Sequence, residues 1–383
     1  MSDRYYRDTV LDVDLRAIEK NYKAIQAKNH DKTFIAVVKA ESYGLGAEVV
    51  ANFLADAGVT FFAVATLDEA IALRMHGIKE KILVLGTINP EQINKAIQHR
   101  IAVTAPNLNW VNVAIDNVDD KYDKSVWIHI KVNSAMNRYG TDDIDEISAM
   151  INRINHFESF IYEGIYSHFT SSDIEGPETL EEFEKFKGIV QAVEQPTYIH
   201  MSNSGGALLL EEDFTTAVRS GISLYGYYPS DYVKNNTSVK LIPSARLTSE
   251  ICGLHQLKAG DSVSYGRTYT ANQDEVIATL PIGYADGLMR QHQGYTVQLG
   301  DGGECQIVGT ICMDATMIKV PDGTELGQIV TIVDDKADSK QSLEQYSEYV
   351  NTITYESLCA FSKRLPRRYK NETETFILNE VIN

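Results

Sequence analysis

The chain has 383 residues, of which 44% are hydrophobic, and its 53 acidic side chains exceed 35 basic ones for a formal charge of −18. Such a chain can bury the core of two domains, or of one large barrel with an added domain, which excludes disorder as the default. The negative charge disfavours nucleic acid and anionic membranes as partners. The longest apolar runs are of strand length, and residues 1–8 contain charges without an apolar stretch, so neither a membrane span nor a secretion signal is predicted.

The four cysteines lie far apart in the sequence, at positions Cys252, Cys305, Cys312 and Cys359. They form neither a C-x-x-C pair nor a histidine and cysteine cluster of zinc spacing. This spacing predicts reduced thiols in the cytoplasm, and neither a disulfide framework nor a metal site.

Short β-branched apolar runs alternate with amphipathic segments of helical period through the first two thirds of the chain. Among the amphipathic segments are residues 47–56 and 179–190. The strand-like runs are 34–39, 61–66, 82–86, 101–104, 126–132, 160–168, 198–201 and 217–225. Eight such units predict an α/β fold with a closed parallel (β/α)8 barrel, the TIM-like architecture.

The pattern changes after about residue 240. Residues 244–251, 275–280 and 329–333 are strand-like, and a glycine-rich turn is predicted at residues 300–303. We therefore expect a barrel domain over residues 1–240 and a mainly β domain over residues 241–383.

Lys39 closes the first predicted strand, at the end where a barrel places its reactive groups. A buried lysine amine that is neutral is nucleophilic and can form a Schiff base with an aldehyde. Taken alone, the position is more typical of a lysine that extends its amine from a strand end into water.

Two loops that follow the last predicted barrel strands contain serine and glycine. Ser204 lies in the first loop, and Arg219 precedes Gly221 and Ile222 in the second. Backbone N–H groups at this place in a barrel commonly bind phosphate, although such glycines also simply turn a chain. Together with Lys39, they indicate a phosphorylated aldehyde cofactor, pyridoxal 5′-phosphate.

The segment from Ala36 to Gly46 resembles the cofactor-lysine signature of bacterial alanine racemases, a family with a barrel and a C-terminal β domain. Seven further motifs resemble the same family in order along the chain: 60–70, 202–204, 219–226, 264–266, 281–287, 311–314 and 351–356.

The resemblance implies interconversion of L-alanine and D-alanine, with Lys39 bound to the cofactor and serving one face of the α-carbon. Tyr265 would serve the opposite face. Tyr265, Tyr284 and Met313 would reach the site from the partner subunit of a homodimer. Arg219 would face the pyridine nitrogen, which then stays unprotonated because arginine only donates hydrogen bonds. The ring would be a weaker electron sink, which favours return of the proton over transamination.

The remaining site residues are also implied by the resemblance. His168 and His200 would surround the arginine, although a barrel histidine with satisfied hydrogen bonds is the alternative. Tyr43, Ser204, Gly221, Ile222 and Tyr355 would bind the phosphate. Arg138, with Met313, would lie near the substrate carboxylate, and Lys131 occupies the position where many members carry a carbamylated lysine.

Three places depart from the usual family pattern: Glu41, Ser42 and Leu45; Asn133, Ser134 and Ala135; and Ser220. If Ala135 replaces a glycine needed for its backbone conformation, the loop holding Arg138 must differ. A racemase of serine or another small amino acid is therefore an alternative. A cofactor-binding protein without turnover is another, disfavoured by the second domain that contains Tyr265. The family role would be to supply D-alanine for peptidoglycan.

Overall fold

The computed structural model describes residues 6–119, 125–300, 302–372 and 374–382. Residues 1–5, part of the charged N-terminal segment considered for a secretion signal, and residue 301 of the predicted turn lie outside the described residues. In the described ranges no helix is both long and apolar enough to span a membrane. The same ranges contain no group of three or more metal-ligating side chains that could hold an ion.

The described residues form strands that we number in chain order. They are β1 (Thr9–Asp14), β2 (Thr33–Val37), β3 (Phe61–Val64), β4 (Lys81–Val84), β5 (Ala102–Ala105), β6 (Val126–Lys131), β7 (Phe160–Tyr166), β8 (Tyr198–His200), β9 (Ala217–Ser220), β10 (Ala245–Glu250), β11 (Gly253–Leu257), β12 (Ser262–Val263), β13 (Tyr269–Thr270), β14 (Glu275–Leu280), β15 (Thr296–Leu299), β16 (Gly303–Ile307), β17 (Thr316–Val320), β18 (Ile329–Val333), β19 (Arg367–Lys370) and β20 (Thr375–Leu378).

The helices are numbered in the same way. They are α1 (Leu15–Lys28), α2 (Lys39–Gly44), α3 (Ala47–Asp56), α4 (Leu67–Met75), α5 (Ile93–His99), α6 (Leu108–Asp116), α7 (Ile144–Asn155), α8 (Glu178–Gln191), α9 (Ser204–Leu209), α10 (Asp231–Asn236), α11 (Leu343–Tyr349) and α12 (Thr354–Ala360). Short 3-10 turns occur at Pro90–Gln92, Ile222–Tyr225, Tyr265–Arg267, Tyr284–Asp286 and Arg290–His292.

Strands β2 to β9 form a closed barrel in chain order, and every neighbouring pair is parallel. Strands β3 and β5 are buried along their whole length, which explains their continuous apolar sequences. The predicted (β/α)8 barrel is confirmed, as are the amphipathic helices α3 and α8. Several predicted strands extend beyond the observed ends: β2 ends at Val37, with Lys39 the first residue of α2, and β9 ends at Ser220, before the 3-10 turn Ile222–Tyr225.

The other strands form a ten-stranded sheet and a two-stranded sheet. The order in the larger sheet is β11-β14-β17-β16-β15-β18-β10-β1-β19-β20. The mainly β character predicted for the later residues is confirmed. This compact unit comprises residues up to Ile18, Tyr43–Gly46 and Ile242–Asn383, whereas Glu19–Ser42 and Ala47–Leu241 form the barrel unit.

Strand β1 was not predicted as a strand. It pairs antiparallel with β10 and parallel with β19, so the described N-terminal strand completes the sheet of the later residues. The predicted domain division at residues 240 and 241 stays a prediction.

Gly44 has a φ of +82°, and a Cβ there would lie 2.4 Å from the carbonyl oxygen of Leu358. We expect Gly44→Ala to lower the free energy of unfolding by about 2 to 4 kcal/mol, because it adds a backbone clash to the left-handed penalty. Gly58→Ala is the matched control, since Gly58 has a φ of +101° and no atom within 4 Å of the added carbon. Urea denaturation measures the free energy of unfolding of both variants. Equal decreases in the two variants would exclude the clash with Leu358 as the cause.

Candidate active site

Lys39 is half-buried and begins a left-handed helical turn, α2. Residues 40–43 have φ values between 51° and 58°, although none of them is glycine. A left-handed conformation costs roughly 1 to 2 kcal/mol for each such residue, so other contacts must hold this turn.

One of those contacts is made by Glu69. One carboxylate oxygen accepts the backbone N–H of Ala40 at 2.7 Å, and the other accepts N–H groups of Ala65 and Thr66 at 2.7 and 3.1 Å. Thr66 in turn caps α4 by accepting the N–H of Glu69. Glu69 therefore ties the residue after Lys39 to the start of α4.

Arg219 lies in β9 and is 3% exposed. Its Nη1 donates to Nδ1 of His200 at 2.5 Å, and its Nη2 donates to the carbonyl oxygens of Ser167 and Met201 at 2.7 and 2.9 Å. Nη2 also lies 3.3 Å from Nδ1 of His168. Burial lowers the pKa of Arg219 to about 10, so it stays protonated at neutral pH. Its hydrogen bonds within the described residues use Nη1 and Nη2, which leaves Nε–H as an available donor.

The two histidines beside Arg219 are held neutral. Burial, followed by the charge of Arg219, lowers the pKa of both His168 and His200 well below the usual value. Because a guanidinium only donates, Nδ1 of each imidazole accepts and its proton lies on Nε2. The structure thus places both predicted histidines next to the predicted arginine.

Ser204 organises the loops after β8 and β9. Its Oγ accepts the backbone N–H groups of Gly221 at 3.0 Å and Ser223 at 3.4 Å. Ser204 begins α9 and Ile222 begins a 3-10 turn, so their N–H groups belong to helix starts that lack intrahelical partners. Ser223 Oγ is buried without a hydrogen-bond partner among the described residues. This donor set suits a phosphate dianion.

The two predicted phosphate-binding tyrosines lie in the other compact unit. Tyr43 is buried and Tyr355 is half-buried, and their ring centroids are 6.0 Å apart. They belong to α2 and α12, respectively.

Lys131 ends β6 and is 5% exposed. Its Nζ donates to the carbonyl oxygen of Val132 at 2.5 Å and lies 5.4 Å from the ring centroid of Tyr166. Burial, together with the charges of Arg219 and Arg138, lowers its pKa to about 7. A lysine in this setting is a neutral nucleophile for much of the time at pH 7.

Arg138 is exposed and lines a cavity of about 930 Å³ together with residues of the 133–141 loop. Ala135 is not left-handed; the left-handed residues of this loop are Asn137, with φ 53°, and Gly140, with φ 94°. Ala135 therefore adopts no conformation that requires glycine in this chain. Ser134, another departure from the family pattern, is accommodated by a hydrogen bond, since its Oγ lies 2.7 Å from Oγ of Ser167.

Tyr265, Tyr284 and Met313 expose 74%, 42% and 52% of their surface. Hydrogen bonds connect Tyr265 and Tyr284 to the segment 310–313, which contains Met313. Thr310 Oγ1 donates to the carbonyl oxygen of Tyr265 at 3.0 Å, and the N–H of Tyr284 donates to the carbonyl oxygen of Cys312 at 3.0 Å. The structure thus joins the three predicted partner-contributed residues through the 310–313 segment.

Sequence reasoning missed a buried polar chain inside the barrel. His129 contacts His200 through Nδ1 at 3.0 Å and Glu163 through Nε2 at 3.1 Å, and Glu163 forms an ion pair with Lys81. The ring of Tyr166 stacks on His200 with centroids 4.8 Å apart. The available signal was a charged or imidazole side chain inside an otherwise apolar strand.

Comparison with known proteins gives a consistent result. The family models "Alanine racemase, N-terminal domain" and "Alanine racemase, C-terminal domain" match residues 13–229 and 244–369. Alanine racemases of Staphylococcus epidermidis and Macrococcus caseolyticus are 46% and 48% identical over 382 residues, which is 100% of each chain. A solved alanine racemase from Bacillus anthracis, with bound L-Ala-P, has a TM-score of 0.93 at 34% identity and covers 99% of this chain and 100% of that one.

Proposed function

Because the chain belongs to the alanine racemase family, as the sequence motifs had indicated, we propose that it interconverts L-alanine and D-alanine with pyridoxal 5′-phosphate as cofactor. The observation that carries the proposal is the setting of Arg219. This buried cation is held by two neutral histidines and two backbone carbonyls, and it retains an available Nε–H donor.

The residues of the barrel unit suit this cofactor. Ser204, Gly221 and Ile222 offer hydroxyl and N–H donors for a phosphate, and Ser223 adds a buried hydroxyl without a partner among the described residues. Arg219 offers a donor to an unprotonated pyridine nitrogen. When bound, pyridoxal phosphate supplies a conjugated system that takes up the electron pair left by removal of the α-proton.

We assign the proton transfers to two residues on opposite faces of the substrate. Lys39 removes or returns the α-proton on one face, and Tyr265 does so on the other. Because Arg219 only donates, the pyridine nitrogen would stay unprotonated and the electron sink weak, which favours prompt return of the proton over side reactions. Arg138 binds the substrate carboxylate, oriented by a carbamate on Lys131.

The exposed cluster of Tyr265, Tyr284 and Met313 supports a homodimer in which these residues complete the partner's site. Large hydrophobic side chains that are exposed close together on the surface are typical of an interaction surface. A cytoplasmic location, a role in supplying D-alanine for peptidoglycan, and the domain division at residues 240 and 241 complete the proposal.

The test is proton NMR of the protein saturated with pyridoxal phosphate in D2O. With L-alanine, we expect the α-proton signal to disappear at a rate matched by the formation of D-alanine, measured by chiral chromatography, since each inversion exchanges the proton. L-serine is the parallel substrate. Exchange with neither amino acid would refute the proposed reaction, and faster turnover of serine would change the assigned substrate.

A further inference from the structure

The hydrogen bonds that link Arg219, His200, His129 and Glu163 all point in one direction, from donor to acceptor along the series. We call this series the hydrogen-bond chain. Arg219 only donates, so Nδ1 of His200 accepts and the proton of His200 lies on Nε2. That proton is donated to Nδ1 of His129 at 3.0 Å, so the proton of His129 also lies on Nε2. It is donated to a carboxylate oxygen of Glu163 at 3.1 Å. The three hydrogen bonds therefore run from the cation to the carboxylate.

Most side chains of the hydrogen-bond chain are buried away from water. His129 and His200 are fully buried, and Glu163 is 7% exposed. Burial lowers the pKa of His129 as it does that of His200, so both imidazoles are neutral. In such surroundings each donor needs its acceptor, because an unmade buried hydrogen bond is costly and consecutive hydrogen bonds polarise one another.

Lys81 binds Glu163, the last residue of the hydrogen-bond chain. Its Nζ pairs with the second oxygen of Glu163 and lies 4.8 Å from the ring centroid of Tyr198, 5.4 Å from that of Trp127 and 5.6 Å from that of Phe61. Although burial opposes it, the hydrogen bonds from His129 and Lys81 hold the pKa of Glu163 below its usual value. Both carboxylate oxygens therefore act as acceptors, and the direction of the hydrogen-bond chain cannot reverse.

We propose that Glu163 is a positioning residue for the reaction: through His129 and His200 it fixes the acceptor that orients Arg219. The inference rests on the proposed function, in which Arg219 faces the cofactor. Its consequence is that a carboxylate separated from Arg219 by two imidazoles affects the catalytic step.

Glu163→Gln tests this sharply. The Lys81 cation attracts the amide oxygen, which turns the amide NH2 group toward Nε2 of His129. His129 and His200 must then carry their protons on Nδ1, and Nδ1–H of His200 opposes the Arg219 donor. We expect kcat for alanine to fall by about 10- to 100-fold with little change in KM, because the displaced group contacts the cofactor and not the amino acid.

The double variant Lys81→Met/Glu163→Gln is the matched rescue. Without the cation the amide oxygen is free to face His129, so the original proton positions and most of kcat should return. Lys81→Met alone keeps both carboxylate oxygens and should leave the two histidine protons on Nε2. If Glu163 had a purely structural role, adding Lys81→Met would lower kcat further instead of restoring it.

The readout that does not depend on turnover is nitrogen NMR of cofactor-loaded protein labelled with 15N-histidine, which distinguishes Nδ1–H from Nε2–H. We expect Nε2–H at His129 and His200 in the wild type and in Lys81→Met, and its loss in Glu163→Gln. Unchanged proton positions in Glu163→Gln, or no recovery in the double variant, would overturn the proposal. If the wild type turned over no amino acid, the proposed function would fail, while the nitrogen signals would still decide the direction of the chain.

Discussion

Two inactive variants, Lys39→Ala and Tyr265→Phe, should together recover about a quarter of the wild-type activity when their subunits are mixed in equal amounts and reassociated. Random pairing makes half of the dimers mixed. In each mixed dimer, Lys39 of one chain meets Tyr265 of the other in one complete site, while the second site lacks both groups. Recovery therefore identifies a site shared between subunits.

Each variant alone should lose racemisation by at least about 100-fold, since each removes one of the two proton-transfer groups. The two losses differ in kind. Tyr265→Phe keeps Lys39 and should still exchange the α-proton of one enantiomer in D2O without inverting it. Lys39→Ala removes the residue proposed to hold the cofactor and should exchange neither enantiomer.

The control is Lys39→Ala mixed with the double variant Lys39→Ala/Tyr265→Phe, which offers no complete site in any pairing. Affinity tags of two kinds verify that mixed dimers have formed. If mixed dimers form and activity stays at the level of the single variants, Tyr265 does not act across the interface, and the proposed composite site is wrong.

The barrel could be predicted because it depends on local patterns of apolar and amphipathic residues. Apolar runs separated by amphipathic segments determine the strand and helix alternation. Lys39 was assigned to a predicted strand end, although the structure places it in α2, whereas the role of Lys131 was assigned from the family resemblance. The placement of β1 could not be predicted, since its pairing with β10 and β19 joins residues more than 200 positions apart.

Two site features depend on contacts that no short motif contains. The left-handed turn after Lys39 runs through non-glycine residues 40–43, whose propensities predict the opposite hand, and Glu69 anchors its start from another helix. The hydrogen-bond chain that ends at Glu163 needs side chains from β4, β6, β7 and β8, which lie far apart in the sequence. Tertiary contacts outweigh local preference in both cases.

Lys131 should carry a carbamate whose formation falls as the pH drops through about 7, the value to which burial and the charges of Arg219 and Arg138 lower its pKa. The neutral amine attacks the carbon of CO2, a C–N bond forms, and one proton is released to water. At pH 7 about half of the Lys131 amines are neutral, against about one in 3,000 for an ordinary lysine, so this side chain reacts selectively. Below that pH the protonated amine cannot attack.

The electrostatic reason for the carbamate is the surrounding charge. Arg138 and Arg219 both destabilise a cationic Lys131, whereas an anion at the same place would pair with Arg138 and orient it toward a substrate carboxylate. We therefore expect Lys131→Met to raise KM for alanine and to lower kcat/KM by about 10- to 100-fold, a loss of roughly 1.4 to 2.7 kcal/mol in transition-state binding.

Carbon NMR with 13C-bicarbonate at pH 8 detects the adduct directly, and Lys131→Met is the control because it leaves every other lysine in place. One carbamate signal should be present in the wild type, absent in the variant and weaker in the wild type at pH 6. Activity should fall in bicarbonate-free, degassed buffer and return when bicarbonate is added, because carbamate formation is reversible. No signal at pH 8 together with an unchanged KM in Lys131→Met would leave Arg138 oriented by the 133–141 loop alone, through the backbone conformation that Asn137 and Gly140 provide.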